Sequence, residues 1–254
     1  MRAATMPVSA RMIEFVGPKA GDVLLELAAG VGDVGFLAAP TLGPDGMLIC
    51  SDFAPEMLTG AQARARDLGV TNVRFRQIDA ESIDLPAASL DGVLCRWGFM
   101  LMSDPEAALR QCRRVLKPGG RLALAAWQRP DENPWSSLPQ AELRRRGLAE
   151  APDPQAPGQF AWARQEIIAE TLQAAGFVDF ELDSVGFAMA YDDLDHWWQT
   201  QLDLSRSFAD AVSGAPADSI AEVRAALAAA AEGFAAPDGT LAVSARTWVA
   251  GAVA

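Results

Sequence analysis

Three acidic residues lie at the ends of short apolar segments in the first third of the chain. Glu26 is the last residue but one of the segment 23–27, and Asp52 and Asp79 directly follow the segments 47–51 and 73–78. Short apolar runs are typical of buried parallel strands, whose carboxyl ends form the ligand-binding edge of open α/β sheets. Carboxylates at that edge accept hydrogen bonds from hydroxyl or ammonium groups. The spacing therefore predicts a site for a nucleotide-type cofactor.

A turn of small residues follows Glu26 and contains Ala28, Gly30 and Gly32. Such residues let the backbone bend tightly beside a ligand. The turn also has the GxGxxG spacing, and Asp52 lies at the distance expected of a ribose-binding acid in a dinucleotide fold. An NAD-dependent oxidoreductase is therefore an alternative, although the NAD motif does not expect an acid directly before the turn.

The first half of the chain alternates predicted strands with predicted helices. Turn signals such as Gly-Pro-Asp-Gly and Lys-Pro-Gly-Gly separate the elements. This alternation predicts a parallel, doubly wound α/β sheet with right-handed crossovers. The expected strands are residues 23–27, 47–51, 73–78, 90–95 and 121–126, and the expected helices are 7–16, 34–41, 55–68 and 105–116.

The second half has a different character. Residues 128–158 are rich in proline and charge, which predicts an irregular connection with a short helix around 140–146. Periodicity then indicates further helices and two more strands. The expected helices are 164–175, 194–212 and 220–234, and the expected strands are 177–187 and 241–249.

The composition limits the classes of partner. A formal net charge of −12 argues against nucleic acid, because phosphate binding draws its affinity from lysine and arginine. Three cysteines without a Cys-x-x-Cys pair and a single histidine predict neither a metal site nor a disulfide framework. The sequence shows no long apolar run and no secretory leader pattern, so we expect no membrane insertion and a cytoplasmic location.

Four motifs follow one another between residues 12 and 127. They are Leu-Glu-Leu-Ala-Ala-Gly-Val-Gly at 25–32, Ser-Asp-Phe-Ala-Pro-Glu-Met-Leu at 51–58, Asp-Ala-Glu at 79–81 and Arg-Val-Leu-Lys-Pro-Gly-Gly-Arg at 114–121. In this order they resemble the class I S-adenosylmethionine-dependent methyltransferases, most closely the small-molecule (type 11, quinone-biosynthesis-like) branch.

The resemblance implies a fold and a division of the chain. The fold is a Rossmann-like, doubly wound seven-stranded sheet, mostly parallel with an antiparallel last strand and a helical insertion between the last two strands. Residues 1–254 would form a single domain. Its cofactor-binding core would be 1–127, and its acceptor-side half, 128–254, would carry a helical cap at about 190–236.

The resemblance also implies roles around S-adenosylmethionine. The turn from Ala28 would pass beneath the ribose and the methionine portion, and Glu26 would anchor that turn or the ammonium group. Asp52 would accept hydrogen bonds from both ribose hydroxyls, and Phe53 and Met57 would pack on the adenine. Asp79 would accept a hydrogen bond from the adenine amino group. The other residues of the implied cofactor-binding set are Gly30, Gly32, Ala80, Arg96 and Trp97.

Two residues are candidates for catalysis. Arg96 would steer an anionic group of either ligand, while Trp97 would face the sulfonium in a cation–π contact. His196 would act as a general base if the inserted helix brings it over the pocket. The alternatives are an Arg96 that pairs with a neighbouring acid and a His196 that lies on the surface. Aromatic residues expected to line an acceptor pocket or the core are Trp127, Trp135, Phe160, Trp162, Trp197 and Trp198.

The predicted function is methyl transfer from S-adenosylmethionine to a small apolar or aromatic metabolite, achieved mostly by positioning. The N-terminal segment is shorter than in the family, so we expect a lid that is incomplete or rebuilt. The alternatives are the oxidoreductase and a non-catalytic domain that binds the cofactor as a sensor or assembly partner. A small-molecule acceptor is the expected partner, and a homodimer is a further hypothesis.

Overall fold

One mixed sheet organises the protein in the computed structural model, which describes residues 2–153 and 156–254. The strand order is β3-β2-β1-β4-β5-β7-β6; β7 runs antiparallel to both its neighbours, and the other pairs are parallel. This confirms the predicted topology. The strands are β1 (Val23–Glu26), β2 (Met47–Asp52), β3 (Val73–Gln77), β4 (Leu90–Arg96), β5 (Leu116–Trp127), β6 (Asp179–Tyr191) and β7 (Leu241–Val253).

Helices cover both faces of the sheet, and three of them lie between β6 and β7 as the predicted helical insertion. Among the described residues, no helix combines the length and apolar character that crossing a bilayer requires. The helices are α1 (Arg2–Val16), α2 (Gly35–Leu42), α3 (Pro55–Leu68), α4 (Pro105–Val115), α5 (Pro134–Arg145), α6 (Gln165–Ala174), α7 (Leu194–Leu204), α8 (Arg206–Gly214) and α9 (Ala217–Ala231).

The central strands separate two apolar cores. Because successive side chains of a strand point to opposite faces, Leu24 packs in the core with α1, α2 and α3, whereas Leu25 packs in the core with α4 and α6. Leu94 and Cys95 of β4 divide in the same way. Burial on both faces explains why these strands are continuously apolar in sequence.

The crevice for a ligand lies between the carboxyl ends of β1 and β4. These strands are neighbours, but the chain passes from β1 to β2 and β3 on one side before it returns to β4 on the other. At such a switch point the connections diverge and leave room for a ligand. Glu26 ends β1 and Arg96 ends β4, so the sheet places both at this crevice.

Helix α1 is longer than its sequence predicts. It begins at Arg2 rather than at residue 7, and it contains Pro7. Proline inside a helix removes one backbone hydrogen bond, so the sequence predicts that the helix begins at Pro7. Burial of Thr5, Val8 and Ser9 against the rest of the protein supplies the compensating tertiary contacts.

Two other elements differ from expectation at their ends. Helix α5 begins at Pro134, not near residue 140. The side chain of the preceding Asn133 does not cap the helix; it donates to the carbonyl oxygens of Gln128 and Arg246 and accepts from the Arg246 amide, which ties the segment before α5 to β7. The single helix expected at 194–212 is two helices. Ser205 ends α7, and its hydroxyl accepts from the Phe208 amide to cap α8.

The fifth strand is also longer than expected. Helix α4 ends at Val115, one residue before the predicted end at 116, and β5 begins at Leu116 rather than at residue 121. Leu116 pairs with Leu90, and the register then shifts before Arg121 pairs with Gly92. An irregularity in the ladder thus accommodates the turn residues within the strand.

Candidate cofactor crevice and acceptor cavity

Glu26 lies beneath the turn that connects β1 to α2. It is 2% exposed, and its Oε1 accepts from the Val34 amide at 3.1 Å. A methyl group on Gly35 would lie 2.4 Å from Oε2, so the start of α2 packs directly on this carboxyl group. Burial raises the pKa of Glu26 to about 7, although the amides of Gly35 and Val34 act in the opposite direction. The structure thus gives Glu26 a place as anchor of the turn.

The turn itself has a backbone that favours small residues. Ala28, Gly30 and Gly32 have φ values of 48°, 55° and 76°. A methyl group on Gly30 would meet no atom within 4 Å, so open space lies over the turn at that point. A methyl group added to Gly98, which follows β4, would lie 2.8 Å from the Ala28 Cβ. The turns after β1 and β4 therefore approach each other closely at Ala28 and Gly98.

Asp52 ties the ends of β1 and β2 together. Its Oδ2 accepts from the Gly30 amide at 2.8 Å, and its Oδ1 accepts from the Ala54 amide at 3.0 Å. A carboxylate has about four lone-pair positions, so each oxygen can accept a further hydrogen bond. Beside it, Phe53 is 71% exposed and Met57 is 47% exposed. This apolar shelf next to a fixed carboxylate suits an adenosine, with the diol on Asp52 and the ring on the shelf.

The third acidic motif lies at the far end of the crevice. Asp79 is exposed, and its Oδ1 accepts from the Glu81 amide at 2.9 Å. Ala80, which follows it, is buried. The amide of Ile78 donates to the Asp52 carbonyl oxygen at 3.3 Å, which brings the end of β3 beside that of β2. The three predicted carboxylates therefore lie along one edge of the sheet.

Arg96 closes the other side of the crevice. Its Nη2 donates to Asp33 at 2.7 Å, and its Nη1 donates to Thr5 at 3.1 Å and to Ser9 at 3.0 Å. Its guanidinium carbon also lies 4.7 Å from the Trp97 ring centre. These contacts fix α1 against the end of β4, so Arg96 has a positioning role whatever it binds.

Two further arginines share the same carboxylate. Arg2 and Arg64 both lie 3.0 Å from Asp33 Oδ1, and Arg64 also donates to the Val31 carbonyl at 2.8 Å. Burial and the neighbouring Arg2 lower the pKa of Arg64. The sequence contains no local signal for this cluster, because its members come from α1, α3, β4 and the turn.

Trp97 joins the crevice to a second space. It is a bulky residue with φ of 60°, a conformation that costs energy and persists only where the surroundings enforce it. Its Nε1 donates to Thr247 at 3.0 Å, and its ring stacks on Trp127 with centres 4.2 Å apart. Trp127 in turn packs on Trp135, with centres 5.0 Å apart. The three rings form a continuous aromatic wall.

This wall bounds a cavity of about 1110 Å³. Its volume is slightly above that of typical ligand pockets, which is about 300–1,000 Å³. Its lining comes from both halves of the chain, including Leu101, Phe160 and Met189 besides the three tryptophans. Of the other aromatic residues singled out in sequence, Trp162, Trp197 and Trp198 are buried in the core.

The structure does not bring His196 to this cavity. It is not among the lining residues, its side chain is 48% exposed, and its Nδ1 accepts from the Asp192 amide at 3.2 Å. Among the described lining residues, the ionisable ones are Arg144, Asp153 and Arg164. The three cysteines are buried, and burial raises the pKa of Cys95 to about 12. None of these groups is placed as a base at the aromatic wall.

Comparison with known proteins identifies the family. A model described as a methyltransferase domain matches residues 18–175. The chain belongs to this family. The matched region contains the acidic strand ends, the turn and part of the cavity wall, so the methyltransferase resemblance is confirmed. Neither the family match nor the similar proteins support the oxidoreductase alternative.

Individual relatives agree with this assignment. A protein named ubiquinone/menaquinone biosynthesis C-methyltransferase UbiE, from Pseudomonas fluorescens, is 38% identical over 119 residues, which are 46% of each chain. One of the same name from Pasteurella multocida is 35% identical over 127 residues, 50% of this chain and 47% of that one. The matches thus span about half the length of these curated relatives. The solved YcgJ protein of Bacillus subtilis has the same fold, with a TM-score of 0.65, 22% identity and 98% of both chains covered.

Proposed function

We propose that this methyltransferase-family protein transfers a methyl group from S-adenosylmethionine to a small apolar or aromatic molecule. The observation that carries the proposal is the position of Trp97. It follows β4 beside the Ala28–Gly98 contact of the crevice, and it lines the 1110 Å³ cavity. A cofactor in the crevice and an acceptor in the cavity would therefore meet at this residue.

The residues of the crevice fit the cofactor. Open space over Gly30, a fixed carboxylate at Asp52 and an exposed apolar shelf at Phe53 and Met57 match the methionine, ribose and adenine parts in turn. Glu26 would hold the turn in shape from below. Asp79, Ala80, Arg96 and Trp97 complete the proposed set.

When bound, S-adenosylmethionine supplies an electrophilic methyl group on a sulfonium. The contribution of the protein would be to hold the acceptor in line with that methyl group and to exclude water. Such alignment can supply about 7–11 kcal/mol of the barrier. Since no base lies at the aromatic wall among the described residues, the acceptor must enter already nucleophilic.

Several finer points belong to the same proposal. The relatives' names suggest an aromatic acceptor of the quinone type and transfer to carbon. Residues 1–127 would hold the cofactor, and residues 128–254 would supply most of the acceptor cavity. We also propose a cytoplasmic protein that binds no nucleic acid and can form a homodimer, and His196 remains a candidate base only if the cap moves.

Two experiments test the proposal in order. Calorimetric titration with S-adenosylmethionine should show one site per chain, and titration with NAD should show none. Incubation with methyl-labelled S-adenosylmethionine and a pool of small metabolites, followed by mass spectrometry, should then reveal a labelled product. Cofactor binding without transfer across a broad acceptor pool would favour the sensor alternative instead.

A further inference from the structure

Three consecutive arginines at the end of helix α5 differ in their partners; Arg144 and Arg145 are its last two residues, and Arg146 follows it. Arg145 lies 2.6 Å from Glu142, and Arg146 contacts Glu142 and lies 3.5 Å from Glu222. Arg144 has no carboxylate within 4 Å among the described residues, and its one hydrogen bond is a 3.5 Å contact to Gln140. Only Arg144 of the three lines the cavity.

The helical spacing explains this difference. Ser136, Gln140 and Arg144 are four residues apart, so they lie on one face of α5, and all three line the cavity. In a chain with 12 more acidic than basic side chains, a half-buried arginine without an acid is a marked exception. A guanidinium removed from water is stabilised by an anion that binds to it.

A second polar group on the cavity wall is also without a partner. Gln201 of α7 is 2% exposed, and its buried Nε2 has no hydrogen-bond partner within the described structure. A buried donor left unpaired costs about 1–3 kcal/mol. An acceptor oxygen on a ligand in the cavity would satisfy it.

The other charged side chains of the cavity lining do not offset its preference for an anion. Arg164, which precedes α6, also lines the cavity and has no carboxylate within 4 Å in the described ranges. Among the lining residues that the structure describes, Asp153 is the only acid, and it is exposed. Arg144 and Gln201 thus both bring N–H donors to the cavity lining that carries the aromatic wall.

We infer that the acceptor is an aromatic carboxylate, and that Arg144 and Gln201 are the residues that select it. The inference rests on the proposed function, because it concerns the acceptor of that reaction. The flat ring would pack on the wall formed by Trp97, Trp127 and Trp135. The planar guanidinium of Arg144 matches a carboxylate with two parallel hydrogen bonds, and the Gln201 amide adds a third donor.

The test compares two probes of equal shape, 2-naphthoate and its neutral carboxamide. Calorimetry on the wild-type protein should show about 10- to 100-fold tighter binding of 2-naphthoate. Arg144→Met should abolish this preference, since methionine keeps an apolar stem without the charge. The neighbouring Arg145→Met should retain it, because Arg145 is paired outside the cavity.

Gln201→Leu adds a readout that a merely structural role would not give. The variant should bind 2-naphthoate about 10-fold more weakly, yet it should resist urea at least as well as the wild type, because the unpaired donor is removed. A fall in both stability and affinity would assign Gln201 to folding and contradict its selecting role.

Three results would overturn the inference: equal binding of the two probes, equal losses in Arg144→Met and Arg145→Met, or no binding of either probe at millimolar concentration. Titration of each protein with S-adenosylmethionine separates the two proposals. Cofactor binding and methyl transfer without carboxylate selection would contradict only this inference. Carboxylate selection without cofactor binding would contradict only the proposed function.

Discussion

The cofactor crevice and the acceptor cavity differ in how their polar side chains are held. In the crevice, Glu26, Asp52 and Asp79 each accept backbone amides of adjacent turns, so the protein itself fixes the carboxylates. In the cavity, within the described parts of the chain, Arg144 has no carboxylate within 4 Å and the amide nitrogen of Gln201 has no hydrogen-bond partner. A crevice whose carboxylates are already held in place suits a single ligand that does not vary. Unpaired hydrogen-bond donors suit a ligand that supplies the acceptor atoms.

The largest effect is expected from the buried carboxyl group of the crevice. Glu26 has a pKa raised from 4.5 to about 7, so its contribution to stability is complete below pH 4.5 and is lost as pH rises to about 7. The difference corresponds to about 3 kcal/mol, at about 1.4 kcal/mol for each pKa unit. Glu26→Gln should lose this dependence. Urea unfolding between pH 4.5 and 8 measures the free energy of unfolding at each pH, with a variant of the exposed Glu150, Glu150→Gln, as control. If stability depends on pH in the same way in the wild type and in Glu26→Gln, the raised pKa is not that of Glu26.

Asp52→Ala should weaken S-adenosylmethionine binding about 10- to 150-fold, since a hydrogen bond to a charged group contributes about 1.5–3 kcal/mol. The variant also removes the acceptor for Gly30 and Ala54. Titration calorimetry measures the loss, and Asp67→Ala on exposed α3 is the control. If the two regions are independent, 2-naphthoate should bind Asp52→Ala as it binds the wild type; a parallel loss would show that crevice and cavity are coupled.

Gly98→Ala tests the junction between the regions. The added methyl group would lie 2.7 Å from Cys95 Sγ and 2.8 Å from Ala28 Cβ. Such overpacking typically costs about 1–3 kcal/mol. Thermal unfolding and cofactor titration should both show a loss, whereas Gly214→Ala, where an added methyl group meets no atom within 4 Å, should show none. Equal behaviour of the two variants would mean that the contact has no effect.

The smallest effect is expected at the surface of the cap. His196→Ala should leave methyl transfer within about twofold of the wild type from pH 6 to 9, because His196 is half exposed and does not line the cavity. A pH profile of product formation measures this. If the wild-type rate falls towards pH 6 and this acidic limb is lost in the variant, His196 would be restored as a general base, which would require the cap to close.

Sequence predicted the crevice in more detail than the cavity. The acids and the small-residue turn lie within a few positions of strand ends, so periodicity and turn chemistry suffice to place them. The extension of α1 on the N-terminal side of Pro7 could not be predicted in this way. The contacts of Arg96 with Thr5 and Ser9 compensate for the backbone hydrogen bond that the proline removes. The break at Ser205 carried a local signal, a serine three residues before Phe208, that was missed.

By itself, the sequence determined the alternation of strands and helices, the acidic edge and the resemblance to the family. These features depend on hydrophobic period and on residues close together in the chain. Only the tertiary structure decided which of three adjacent arginines lacks an acid, and that a glutamine over one hundred positions from Trp97 shares its cavity. Such facts depend on how helices pack across the sheet, and a one-dimensional pattern does not contain that geometry.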